Sequence, residues 1–131
     1  MKNNFSLLGI GACGGNQVAA FKKYGMNSFY INSALEDLRS LGTDNIHYYH
    51  LDGATGCHKN RNVSKNYLAE NYEDVLRNIE RYLTGKYIFL FGAMGGGTFS
   101  GMCALLMELI ETELNKIVIP VVTMPNFSES L

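Results

Sequence analysis

Five short apolar runs recur along the 131-residue chain, separated by stretches with helical spacing or by glycine-rich turns. "FSLLGI" (5–10), "SFYIN" (28–32), "IHYYHL" (46–51), "YIFLFG" (87–92) and "KIVIPVV" (116–122) have the length and the β-branched and aromatic content of strands. "YIFLFG" is apolar throughout, which predicts a central strand of a parallel sheet, covered on both faces. After the first run, "VAAFKKYG" reads as a helix closed by Gly25 as its C-terminal cap. In "SALEDLRSLG", Ser33 and Glu36 have capping-box spacing and Gly42 ends the helix. Ser64 is placed to cap the longest helix, "KNYLAENYEDVLRNIERYLTG", and Gly85 to stop it; Leu68, Tyr72, Val75, Leu76, Ile79 and Leu83 fall on one face of it. In the last helix Met102, Leu105, Leu106, Leu109 and Ile110 line one side, with Glu108, Glu111 and Glu113 opposite. Strands alternating with crossover helices predict one doubly wound α/β domain over residues 1–131. Its sheet is Rossmann-like and parallel, of about five strands, with helices on both faces.

Composition narrows the class without changing this picture. Hydrophobic residues make up 47% and charged residues 18%, with a formal net charge of −1, so nothing calls for nucleic acid or a membrane surface as a direct partner. No apolar run approaches the roughly 20 residues of a bilayer span. The N-terminal "MKNNFSLLGIGACGG" reads as a strand running into glycines rather than as a signal peptide, so a cytoplasmic protein is expected. Cys13, Cys57 and Cys103 are odd in number and form no C-x-x-C pair, against a disulfide framework or a structural zinc site. They read as small fillers of tight places.

The candidate chemistry lies in two glycine-rich segments, "GACGGNQ" after the first run and "GAMGGGTFSG" after the fourth, each opening a helix. In a doubly wound sheet, ligands sit at the carboxyl ends of the strands where the winding reverses. A helix N-terminus there offers unpaired N–H groups and roughly half a positive charge. Glycines admit an anion close to the backbone, and Thr98, placed as an N-cap, and Ser100 add hydroxyls. Two such loops predict a polyphosphate held from two sides; tight strand-to-helix turns without a ligand are the plainer alternative. Gly9, Gly11 and Gly14 match the dinucleotide pattern G-x-G-x-x-G, but Asn32 stands where that pattern needs an acidic residue. No G-x-x-x-x-G-K-[ST] loop occurs. The segment "DGATGCHKNRNV" (52–63) has no periodicity and reads as a long loop, with His58, Lys59 and Arg61 making it basic. His47 and His50, Tyr67, Tyr72 and Tyr82 read as packing residues, and Arg77, Glu80 and Arg81 as a solvated helix face.

These segments carry a resemblance. "GGGTFSG" (95–101) looks like the signature loop of the tubulin and bacterial cell-division tubulin superfamily, G-G-G-T-G-[ST]-G, and "GACGGNQVAAF" (11–21) is similar to its first phosphate loop. "INSALEDL" (31–38) and "VVTMPNFSES" (121–130) resemble two further segments of the bacterial members, in the same order. Among its branches the chain most resembles the phage and plasmid partition tubulins, TubZ type.

The resemblance implies the GTP/GDP-binding domain of a filament-forming GTPase serving phage or plasmid DNA segregation. In it Gly11, Ala12 and Cys13 would line the diphosphate, and Asn16 and Gln17 would reach toward ribose or guanine. Gly95, Gly96, Gly97 and Thr98 would hold the β-phosphate, the loop of Gly53, Ala54, Thr55 and Gly56 would sense the γ-phosphate, and Glu129 would touch the ribose. Mg²⁺ would be held mostly through water. His58 and its neighbours would then lie beside the γ-phosphate or an adjoining subunit. Partners would be further copies in a filament and a DNA-binding adaptor. The family's central helix, catalytic acidic loop and C-terminal domain would lie beyond residue 131, so no catalytic residue is expected within these 131. Phe99 departs from the signature, replacing its fourth glycine. A non-hydrolysing module that regulates or caps an assembly is the alternative, and a small dinucleotide domain a more distant one.

Overall fold

Strand periodicity decides which side of the sheet each residue serves. The computed structural model describes residues 4–32, 35–42, 46–51, 61–93 and 97–123, and their side chains except those of 61–64 and 97–101. Five strands form its sheet: β1 (Phe5–Ile10), β2 (Asn27–Asn32), β3 (Tyr48–His50), β4 (Tyr87–Ala93) and β5 (Ile117–Thr123). The order is β3-β2-β1-β4-β5, and every pairing is parallel. The helices are α1 (Gly11–Ala20), α2 (Leu35–Ser40), α3 (Arg61–Tyr82) and α4 (Gly97–Leu114). This is the doubly wound parallel sheet that the alternation of runs predicts.

Alternate residues of each strand point to opposite faces. Leu8, Ile10, Phe29, Ile31, Ile88, Leu90 and Val118 therefore meet Leu68, Val75, Ile79, Met102, Leu106 and Ile110, the apolar stripes of α3 and α4, in the larger core. On the other face Leu7, Tyr30 and Phe91 pack with Val18 of α1 and Leu38 of α2 in a smaller one. Burying each such side chain contributes about 1.5–3 kcal/mol. Met102, Leu106, Leu68, Val75 and Ile79 are all fully buried, as the helical stripes read from the sequence predict; Tyr72, expected on the same face of α3, is instead 37% exposed, its hydroxyl donating to the Glu73 carboxylate.

Several boundaries differ from the sequence expectation. The helix expected to start near Val18 starts at Gly11, so the glycines of "GACGGNQ" are its first turns rather than a preceding loop. It stops at Ala20, and Gly25, at φ 72°, caps a separate 3-10 turn (Lys22–Tyr24). Helix α3 begins at Arg61, which takes the end of the expected long loop and leaves Ser64 inside the helix instead of capping it. It ends at Tyr82, ahead of Gly85. Strand β3 keeps only Tyr48–His50 of the six residues expected. His47 lies before it and stacks on Tyr82 at 3.9 Å, while Tyr82 also stacks on Phe29 at 5.8 Å. Ser33, the expected cap of α2, lies outside the described residues.

Gly85 is pinned by its surroundings rather than by helix termination. Its N–H donates to the buried Ser6 hydroxyl at 3.4 Å, and its carbonyl accepts from Lys116 Nζ at 2.7 Å. Burial pulls the Lys116 ammonium below its usual range. A Cβ on Gly85 would lie 2.6 Å from the Asn4 carbonyl oxygen and 2.9 Å from the Phe5 nitrogen, both backbone atoms that cannot rotate away. Gly85→Ala is accordingly expected to destabilise the fold by about 2 kcal/mol in urea unfolding, with the slope of the transition unchanged.

Candidate functional site

From β1 the chain winds outward through β2 and β3, then returns to the other side of β1 for β4 and β5. The winding reverses between β1 and β4, where Gly9 pairs with Phe91. Crevices for ligands form at such points, beyond the carboxyl ends of the strands. Helices α1 and α4 both start there, one from each of the two adjacent strands.

Glycine sets how α1 starts. Gly11 has φ 74°, the left-handed region that side chains avoid, and this turns the chain out of β1 straight into the helix. A Cβ on Gly9 would lie 2.7 Å from the Gly14 carbonyl oxygen, and one on Gly14 would collide with the Phe91 carbonyl. The first turns of α1 are therefore seated on the bare backbone of β1 and β4. Ile10, at the N-cap, makes no side-chain cap, and the first turn contains no acidic residue. The leading N–H groups of α1 are thus left for an acceptor from outside the helix, with about half a positive charge behind them. The first turn of α4 is also free of acidic residues.

Of the residues expected at the site, Gly11, Ala12 and Cys13 form the first turn of α1, with Ala12 exposed and Cys13 half-buried. Asn16 is exposed on the second turn. Gln17 is half-buried; its Nε2 donates to Thr123 Oγ1 at 2.9 Å, while its Oε1 is buried with no partner among the described residues. Gly97 and Thr98 open α4, which puts Thr98 inside the first turn rather than at the N-cap expected for it. Gly53, Ala54, Thr55, Gly56, His58, Gly95, Gly96 and Glu129 lie outside the described residues, as does the side chain of Phe99.

Two residues clarify what the site is built for. Asn32 is only 3% exposed, and its amide donates to the Asp37 carboxylate at 3.1 Å. The end of β2 is therefore spent on holding α2, where a dinucleotide site would present an acidic group to a ribose. Thr123 went unnoticed in the sequence: it is 106 residues from Gln17, and no local pattern marks that contact.

Burial pushes the Cys103 thiol up, and its sulfur lies 3.8 Å from that of Met107, as in a packing contact. Among the described residues no three His, Cys, Asp or Glu side chains gather to hold a metal ion. No described helix is long and apolar enough to cross a membrane.

Comparison with known proteins points in one direction. Residues 4–131 match the family described as Tubulin/FtsZ family, GTPase domain. The tubulin-like protein TubZ of Clostridium botulinum C phage is 31% identical over 112 residues, covering 83% of this chain and 31% of TubZ. The tubulin-like protein CetZ of Methanothrix thermoacetophila is 28% identical, over 93% of this chain and 39% of CetZ. The solved structure of Clostridium botulinum phage c-st TubZ, truncated at its C-terminal tail, superposes with a TM-score of 0.82 at 29% identity, covering 95% of this chain and 42% of that one. The chain thus spans well under half the length of these relatives.

The seating of α1 can be tested directly. Gly14→Ala is expected to destabilise the fold by about 2–3 kcal/mol in urea unfolding, because the Phe91 carbonyl and α1 must separate. Ala12→Ser, on the exposed side of the same turn, is expected to change stability by less than about 0.5 kcal/mol.

Proposed function

The chain belongs to the Tubulin/FtsZ family, and from that premise we propose that it is the GTP/GDP-binding portion of a longer, filament-forming GTPase of the TubZ/CetZ type. One observation carries the reading: the first turn of α1 lies on the bare β4 backbone, so that two helix starts flank the switch point. The residues present fit a nucleotide there. Backbone N–H groups and positive helix ends suit the phosphates.

In this reading Gly11, Ala12 and Cys13 bind the diphosphate from one side, and Gly95, Gly96, Gly97 and Thr98 from the other. Asn16, Gln17 and Glu129 hold the nucleoside, and Gly53, Ala54, Thr55 and Gly56 register the γ-phosphate. Mg²⁺ is held by the phosphates and by water, as is common for this ion. This chain contributes positioning and charge stabilisation. The acidic group that activates water for hydrolysis comes from a neighbouring subunit, so turnover belongs to the assembled longer protein. The likeness to a phage TubZ favours a role in segregating phage or plasmid DNA in the cytoplasm, by self-association into filaments and through an adaptor that contacts the DNA.

Equilibrium titration with GDP, GTP, ATP and NADH tests the reading. The two guanine nucleotides are expected to bind, and ATP and NADH to bind more weakly; affinity for NADH alone would overturn it. The chain by itself is expected to release no phosphate from GTP. Steady release from a pure preparation would show that the acid acting on water lies within these residues.

A further inference from the structure

We draw no further inference here: the strongest candidate, the half-open apolar face that Tyr87 and Phe89 of β4 and Ile117, Ile119 and Val121 of β5 present on the side of the sheet that α1 occupies, carries nothing, because nothing in the structure shows what covers it.

Discussion

The close approach of Gly14 to the backbone of Phe91 and Gly92 is the contact on which the rest of the arrangement depends. A helix that follows a parallel strand ordinarily rides over the sheet with a layer of side chains between. Here that layer is missing at one point, and the first turn of α1 drops onto the junction of β1 and β4. The drop brings the helix N-terminus over the crevice and leaves its N–H groups uncapped. It also requires two specific backbone features: no Cβ at Gly9 or Gly14, and a left-handed turn at Gly11. Exposed loops tolerate many substitutions, but this contact tolerates almost none, because a Cβ on Gly14 would meet the backbone of β4, a strand paired on both sides, and one on Gly9 would meet the backbone of α1.

The two faces of the sheet divide the labour. The face covered by α3 and α4 holds the larger core, with sixteen buried residues among those described, running from β2 across to β5. The face covered by α1 and α2 has five among those described, centred on the middle strands. Apolar burial among the described residues is thus concentrated on the side away from α1. Strand β5 shows the same gradient. Val118 enters the larger core, while Ile117, Val121 and Val122 remain more than a third exposed. Pro120 is tolerated within β5 because only one of its edges is paired among the described residues.

How much of this the sequence reveals depends on the range of the interaction involved. Strand positions, the parallel winding and the apolar stripes of α3 and α4 all follow from periods of 2 and 3.6, which a window of a few residues contains. Helix ends were less legible. Ser64 and Thr98 are good caps by type, yet each lies inside its helix, because the chain's path through the fold sets where α3 and α4 begin. The glycines of "GACGGNQ" mislead in the same manner. Local propensity reads them as loop, since glycine weakens a helix by about 1 kcal/mol relative to alanine. The seat on β4, which needs the absence of side chains, outweighs that propensity. His47 was likewise assigned to a strand because its stacking partner, Tyr82, is 35 residues away in the chain.

The site shows the limit most clearly. The glycine patterns and their order along the chain are local and carry the family likeness. Side-chain contacts around them are less legible. Gln17 is conspicuous as a residue next to a glycine turn, but its hydrogen bond to Thr123 on the far strand is not. Only the parallel order β1-β4-β5 places the end of β5 within reach of the second turn of α1. Anion binding by backbone N–H groups needs only a correct turn, which a short motif can encode. Placing a side chain such as that of Gln17 needs partners distant in sequence, and it is the tertiary fold that supplies them.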